Sequence, residues 1–323
     1  MTIIVTGAAG FVGCFTAERL LQRGERIIGV DVFNDYYDVG LKAARAARLA
    51  GFPNFSMARM DIADAPAFAT LVKRSGADRI VHLAAQAGVR YSLDNPFAYE
   101  RSNLAGHLSV LEACRHAPAL KHLVYASSSS VYGDRAIDGP FKETDPVDAP
   151  VSLYAATKRS GELISASYTK LYGIKQSGLR FFTVYGPMGR PDMAYFGFTQ
   201  KILSGQPIEV FGQGQMARDF TYIDDIVDGV VGVLDRPPAE PEARIFNIGG
   251  GRPVPLMRMI EVLEQALGAT AEKIFRPMQP GDVTATYADI SRLNALTGYQ
   301  PKVRLEDGLP DFVRWYRDYH QPH

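Results

Sequence analysis

Two hydrophobic rhythms alternate along the first half of the chain. Short runs rich in β-branched residues (Thr2 to Thr6, Arg26 to Asp31, Phe55 to Met60, Arg79 to Leu83, His122 to Tyr125 and Gln176 to Phe182) have the length and composition of buried strands. Between them, apolar residues recur at helical spacing: from a glycine turn through Leu20 and Leu21, from Ala65 to Lys73, from Pro96 to about Cys114, and from Tyr154 to Tyr172. Strands that alternate with helices predict an α/β fold, a doubly wound parallel sheet with helices on both faces and ligands beyond the carboxyl ends of the strands. After Thr183 the rhythm loosens into helices at Tyr195 to Leu203, up to Leu234, Pro255 to Leu267 and Leu305 to Tyr319, with short strands at Ile208 to Phe211 and Ile245 to Ile248. This pattern predicts a main domain over residues 1–183, with segments returning near 219–248, and a smaller, discontinuous C-terminal substrate domain over 184–323.

The candidate chemistry falls at predicted strand ends. Gly7-Ala8-Ala9-Gly10-Phe11-Val12-Gly13 follows the first strand and opens a helix, and Asp31 ends the second strand. Glycines there let the backbone approach a pyrophosphate, the helix N-terminus offers it free N–H groups, and the carboxylate suits a ribose while repelling a 2′-phosphate. That is a Rossmann-type opening and predicts NAD in preference to NADP. Asp61-Ile62, the small residues Ala84 to Gly88, the run Ser127 to Ser130, and Phe182-Thr183 lie at further strand ends. Tyr154 and Lys158, four apart after Pro150, share one helix face. An ammonium about 4 Å from the phenol is worth roughly 4 kcal/mol at an effective dielectric of ~20. Such a pairing predicts a phenol pulled down toward neutral pH and able to act as a base. Arg190 and Arg218 are candidate cations for an anionic ligand.

Composition narrows the class. The 323 residues are 46% hydrophobic, enough for a large core, and 35 Lys and Arg balance 35 Asp and Glu, which gives no electrostatic case for nucleic acid. Cys14 and Cys114 lack metal spacing and suit a reducing compartment. The N-terminus has no basic, apolar leader and no run approaches a membrane span, so the expectation is a soluble cytoplasmic protein without a membrane partner.

The glycine triplet, the serine turn before Val131-Tyr132-Gly133, and Tyr154-x-x-x-Lys158 resemble the extended short-chain dehydrogenase/reductase family of nucleotide-sugar enzymes over essentially the whole chain. The stretches Asn34 to Asp38, Gln86 to Ser92, Ser152 to Lys158, Leu179 to Asp192, Arg218 to Asp225 and Pro277 to Val283 are similar to UDP-glucuronate 4-epimerases within it. The resemblance implies Tyr154 as the base on the sugar 4-hydroxyl, with Lys158 and Ser128 assisting. It implies NAD contacts from Gly7, Gly10, Phe11, Val12, Gly13, Asp31, Asn34, Asp61, Ile62, Leu83, Ala84, Ala85, Asn103 and Phe182. For the UDP-sugar it implies Ser128, Ser129, Phe211, Arg218 and Asp282, with Thr183, Arg190 and Arg90 as candidates for the uronate carboxylate. It also implies a homodimer built on the two long helices. Related 4,6-dehydratases carry Thr-Asp-Glu where this chain has Ser128, Ser129 and Ser130, and UDP-glucuronate decarboxylases carry Glu at Ser130, so both reactions are disfavoured. Plain UDP-glucose 4-epimerases usually have Asn at Thr183. A non-catalytic NAD-sensing protein would have no need of Ser128, Tyr154 and Lys158 together.

Overall fold

A computed structural model describes residues 1–134, 139–278 and 285–320. Its centre is a parallel sheet of seven strands: β1 (Thr2–Thr6), β2 (Arg26–Asp31), β3 (Phe55–Arg59), β4 (Arg79–His82), β5 (His122–Ser128), β6 (Gln176–Phe181) and β7 (Ala243–Ile248). Their spatial order is 3-2-1-4-5-6-7, so β1 pairs with β2 on one side and β4 on the other. The chain reverses direction across the sheet at that point, which opens a crevice above the carboxyl ends of β1 and β4. The pleat divides the core as a period of two requires: Ile3, Val5, Ile27, Val81 and Val124 pack on one face, Ile4, Ile28, Val30, Ile80 and Leu123 on the other. Three small sheets lie apart from the main one, pairing Thr183–Tyr185 with Phe220–Tyr222, Ile208–Val210 with Lys273–Phe275, and Ala217–Arg218 with Val254–Pro255 and Ala285–Thr286. Among the described residues no helix is long and apolar enough to cross a membrane.

The helices flanking the sheet are α1 (Phe11–Gln22), α2 (Val39–Ala50), α3 (Ala65–Ser75), α4 (Gly106–Arg115), α5 (Leu153–Tyr172) and α6 (Ile223–Leu234). Two differ from the sequence pattern. The segment from Pro96 to Arg115 is not one α-helix: a π-helical stretch, Glu100–Ala105, separates Pro96–Tyr99 from α4. The wider turn carries Asn103, whose side chain accepts from the Gln86 N–H at 2.8 Å and donates to the Gln86 carbonyl at 3.0 Å and to Thr157 Oγ1 at 3.1 Å. Helix α2 has no counterpart in the hydrophobic pattern because its buried face includes Lys42 and Arg45 beside Leu41 and Leu49. Asp38 starts it by accepting the Gly40 N–H at 2.8 Å.

Three buried histidines make the fold sensitive to acid. His82 and His107 stack with ring centroids 5.3 Å apart, and His122 contacts Ser177 Oγ at 2.9 Å. Burial lowers all three, His107 and His122 to about 4. The unfolded chain therefore binds these protons below about pH 6.5 while the folded chain refuses them, so stability falls as pH drops. Between pH 7 and 5, His107 and His122 are each expected to remove about 2 kcal/mol. Asp219, whose burial raises its carboxyl to about 6 against hydrogen bonds from Ala288, Gly250 and Gly251, returns about 1 kcal/mol over that range. A thermal midpoint that stays level from pH 7 to 5 would contradict this balance.

Candidate active site

The crevice is a cavity of ≈ 750 Å³, within the range of ordinary ligand sites. One end is made by the turn between β1 and α1. Gly7 has φ +71°, and a Cβ on it would lie 2.8 Å from the Ala84 nitrogen. A Cβ on Gly13 would lie 2.0 Å from the Gly7 carbonyl oxygen, so both positions admit only glycine. Gly10 caps α1 without a side-chain acceptor, which leaves first-turn N–H groups for an anion, and Gly10, Phe11, Val12 and Gly13 all line the cavity. Asp31 is held by the N–H groups of Ala9 at 3.0 Å and Phe33 at 2.8 Å. This glycine cradle with its adjacent carboxylate fits a dinucleotide. Asn34, Asp61, Ile62, Leu83, Ala84, Ala85 and Phe182 line the same space. Asn103 does not; its side chain is taken up by Gln86 and Thr157, so it braces the strand end beneath the cleft rather than facing it.

At the middle of the cleft stands Tyr154, in the first turn of α5. Ser152 caps that helix by accepting the Ala155 N–H at 3.1 Å, which aims the phenol toward the end of β5. Burial raises the phenol above its ordinary value, while a hydrogen bond to Ser128 and the charge of Arg190 pull it back. The expected action of the Lys158 ammonium on this phenol is not seen. Lys158 shares the helix face, but its Nζ donates to the Ala126 carbonyl at 2.9 Å, and the cation that acts on Tyr154 is Arg190. Burial and Arg190 together lower Lys158 to about 8, against the pull of Glu162 one turn on. Tyr99 meets Tyr154 edge to face at 6.0 Å. In the serine turn, Ser130 Oγ donates to Ser128 Oγ at 2.9 Å, leaving the Ser128 proton free for the phenol; Ser129 lines the cavity beside them.

The far wall comes from the second half of the chain. Thr183, Arg190, Phe211 and Arg218 line it, and Arg90 reaches across so that its guanidinium sits 5.4 Å from the Phe211 ring centroid. Arg218 donates to the Ala217 carbonyl at 2.9 Å. Arg190 Nε donates to Asp192 at 2.9 Å, and the carboxylate outweighs the effect of burial and holds the guanidinium well above its ordinary value. Tyr36 OH, from the other half, donates to the same carboxylate at 3.1 Å. Asp282 lies outside the described residues. Lys42, Tyr36 and Asp192 also line the cleft, and no motif of the sequence marks them individually. Lys42 sits on the unrecognised helix α2, whereas Tyr36 and Asp192 belong to stretches that carried the family resemblance without individual roles.

This arrangement can bind a dinucleotide beside a sugar hydroxyl, move that hydroxyl's proton, and hold an anionic group near it. The Epimerase family, described as the NAD dependent epimerase/dehydratase family, matches residues 3–249. A probable UDP-glucuronate 4-epimerase of Rhizobium meliloti is 45% identical, covering 100% of this chain and 99% of its own. UDP-glucuronate 4-epimerase 4 of Arabidopsis thaliana is 46% identical over 99% of this chain and 76% of its own. The crystal structure of UDP-glucuronic acid 4-epimerase from Bacillus cereus in complex with UDP-glucuronic acid and NAD superposes with TM-score 0.92 at 36% identity, covering 99% of this chain and 100% of that one.

Proposed function

Because the chain belongs to the NAD dependent epimerase/dehydratase family, we propose that it interconverts UDP-glucuronate and UDP-galacturonate by epimerisation at C4. The observation that carries this reading is that the Tyr154 phenol, the Ser128 hydroxyl and the Arg190 guanidinium line one cleft together with the glycine turn. When bound, NAD would supply reversible hydride transfer at the sugar C4, so that no outside oxidant is consumed. Gly7, Gly10 to Gly13, Asp31, Asn34, Asp61, Ile62, Leu83 to Ala85 and Phe182 would hold it. Tyr154 would take the 4-hydroxyl proton and give it back, with Ser128 hydrogen-bonded to the phenol. Lys158 would face the nicotinamide ribose. Phe211 and Arg218 would take the uridine diphosphate, together with Asp282, and Ser129 would hydrogen-bond the sugar. Thr183 and Arg190, with Arg90, would take the uronate carboxylate.

Proton NMR of the purified protein with UDP-glucuronate and no added cofactor tests the proposal. UDP-galacturonate without UDP-xylose is expected. UDP-xylose would favour a decarboxylase instead, against which Ser130 speaks: it offers the cleft a hydroxyl where that reaction's enzymes carry a carboxylate. Removal of hydride from C4 and of the 4-hydroxyl proton would leave a 4-keto uronate, a β-keto acid that loses CO₂ when its carboxylate stands perpendicular to the carbonyl plane. Thr183→Ala is therefore expected to raise CO₂ release per turnover; release no greater than wild type removes Thr183 from that role.

A homodimer is part of the same reading. Leu93, Phe97, Leu163 and Leu171 are exposed large apolar residues on or beside the helices between Tyr91 and Tyr172, Phe97 at 80%. Phe97→Asp with Leu171→Asp should yield a monomer by sedimentation; an unchanged sedimentation coefficient rejects this face. The buried free thiols Cys14 and Cys114 support a cytoplasmic site, which cell fractionation would check.

A further inference from the structure

Helix α2 turns a cation inward. Arg45 has no exposed surface, yet among the described residues its guanidinium meets only neutral acceptors. Nε and Nη2 donate to the Met188 carbonyl at 3.1 and 2.5 Å, Nη2 also to the Gly189 carbonyl at 3.1 Å, and Nη1 to the Ala9 carbonyl at 3.2 Å and the Tyr37 hydroxyl at 2.7 Å. A guanidinium has five N–H donors, and these five contacts use every one. Burying a charge without a counter-ion is costly, and complete hydrogen bonding is what makes it tolerable.

The acceptors belong to parts of the cleft that are far apart in the chain. Ala9 is in the glycine turn, and its own N–H is on Asp31. Met188 and Gly189 immediately precede Arg190. Met188 has φ +56°, a left-handed conformation that a non-glycine residue keeps only where its surroundings impose it. Its carbonyl receives two of the five Arg45 donors. On the other side, a Cβ on Gly189 would lie 1.9 Å from the Tyr195 hydroxyl, so the loop is packed as well as bonded.

We propose that Arg45 is a positioning residue that fastens the Met188-Gly189 turn to the glycine turn, so that Arg190 is registered against the cofactor half of the cleft. Its charge lies directly behind the turn that would take an anionic pyrophosphate, which would supply the missing counter-charge. The assignment rests on the proposed role of Arg190 at the uronate; the link to the glycine turn does not.

The test compares Arg45→Met, which removes every donor at similar length, with Arg45→Lys, which keeps the charge and three donors. NAD retained per chain, KM and kcat for UDP-glucuronate under saturating NAD, CO₂ released per turnover and the thermal midpoint are read together. Arg45→Met is expected to lose bound NAD on purification, to raise KM about tenfold or more, and to release more CO₂ per turnover. Arg45→Lys should recover NAD retention more fully than KM. Wild-type KM and CO₂ release in Arg45→Met, with only a lower thermal midpoint, would reduce Arg45 to a structural residue. If Arg45→Met fails to fold, Arg45→Lys decides by the same readings, and wild-type values there overturn the proposal. Failure of the epimerase reading would look different: the wild-type protein itself would leave UDP-glucuronate unchanged, and NAD retention would still report on Arg45.

Discussion

Tyr154→Phe is expected to lower turnover of UDP-glucuronate by about 10²–10⁴-fold, the usual contribution of a positioned acid–base group. The substitution removes one oxygen and little else. The ring keeps its edge-to-face contact with Tyr99, and the cap at Ser152 is untouched, so the helix should stay in place. Retention of NAD and binding of the nucleotide sugar should therefore change little, which separates a chemical defect from a folding one. The pH profile adds a second reading. Burial raises the phenol, so the ionised form that acts as a base becomes more abundant as pH rises. Wild-type kcat/KM should therefore keep climbing as pH rises into the alkaline range without levelling off near neutrality, and the residual activity of the variant should lack that limb. A variant within a few-fold of wild type would take the proton-transfer role from Tyr154 and leave Ser128 as the next candidate.

The second large effect concerns stability. Glu162 and Arg180 form an ion pair in which the side chains are 1% and 3% exposed, with Nε to Oε1 at 2.8 Å. Burial alone would raise the Glu162 carboxyl, but Arg180 and the Ser127 hydroxyl, 2.6 Å away, bring it below its ordinary value. Arg180 also donates to Tyr132 OH at 3.0 Å, which in turn donates to Asn247 Oδ1 at 2.6 Å. Glu162→Ala leaves that guanidinium charged and enclosed, and should cost about 3–5 kcal/mol of folding free energy, read from the denaturant midpoint. Adding Arg180→Met should restore part of the loss, because the orphaned charge is then gone, while Ser127 still lacks its acceptor and Tyr132, which keeps Asn247, lacks one donor. A double variant no better than Glu162→Ala would mean that the lost hydrogen bonds, not the stranded charge, set the cost. Because the depressed carboxyl contributes only while ionised, wild-type protein should lose this stability as pH falls below about 4.5.

Local spacing made much of this legible. The glycine turn, Asp31, the serine run and Tyr154 were visible because each sits at a strand end, and strand ends follow from a short apolar run meeting a turn. The direction of a long side chain does not follow in that way. Lys158 shares a helix face with Tyr154, as i and i+4 must, but its four-carbon stem carries the ammonium to a carbonyl of β5 instead of to the phenol. Helix α2 has no apolar signature for a related reason: a period of 3.6 is read from apolar residues, and here Lys42 and Arg45 fill inward positions. For Asn103 the family likeness implies a cofactor contact; in the structure the π-helical stretch places its side chain on Gln86 and Thr157 at the strand end. The Tyr36–Asp192 contact joins residues 156 positions apart and has no local signature at all.

The strand order bears on how the protein can be made. β6 ends at Phe181, but β7, which covers its outer edge from Gln176 to Phe181, begins only at Ala243. A nascent chain emerging N-terminus first must therefore hold six strands with a bare hydrogen-bonding edge while the whole intervening segment is synthesised. Such an edge is a template for pairing with another chain, and parallel sheets close slowly because their contacts are non-local. Until β7 docks, that edge is open to wrong pairing, and a chain ended by a premature stop between Phe181 and Ala243 should accumulate as aggregate rather than as a small soluble nucleotide-binding fragment.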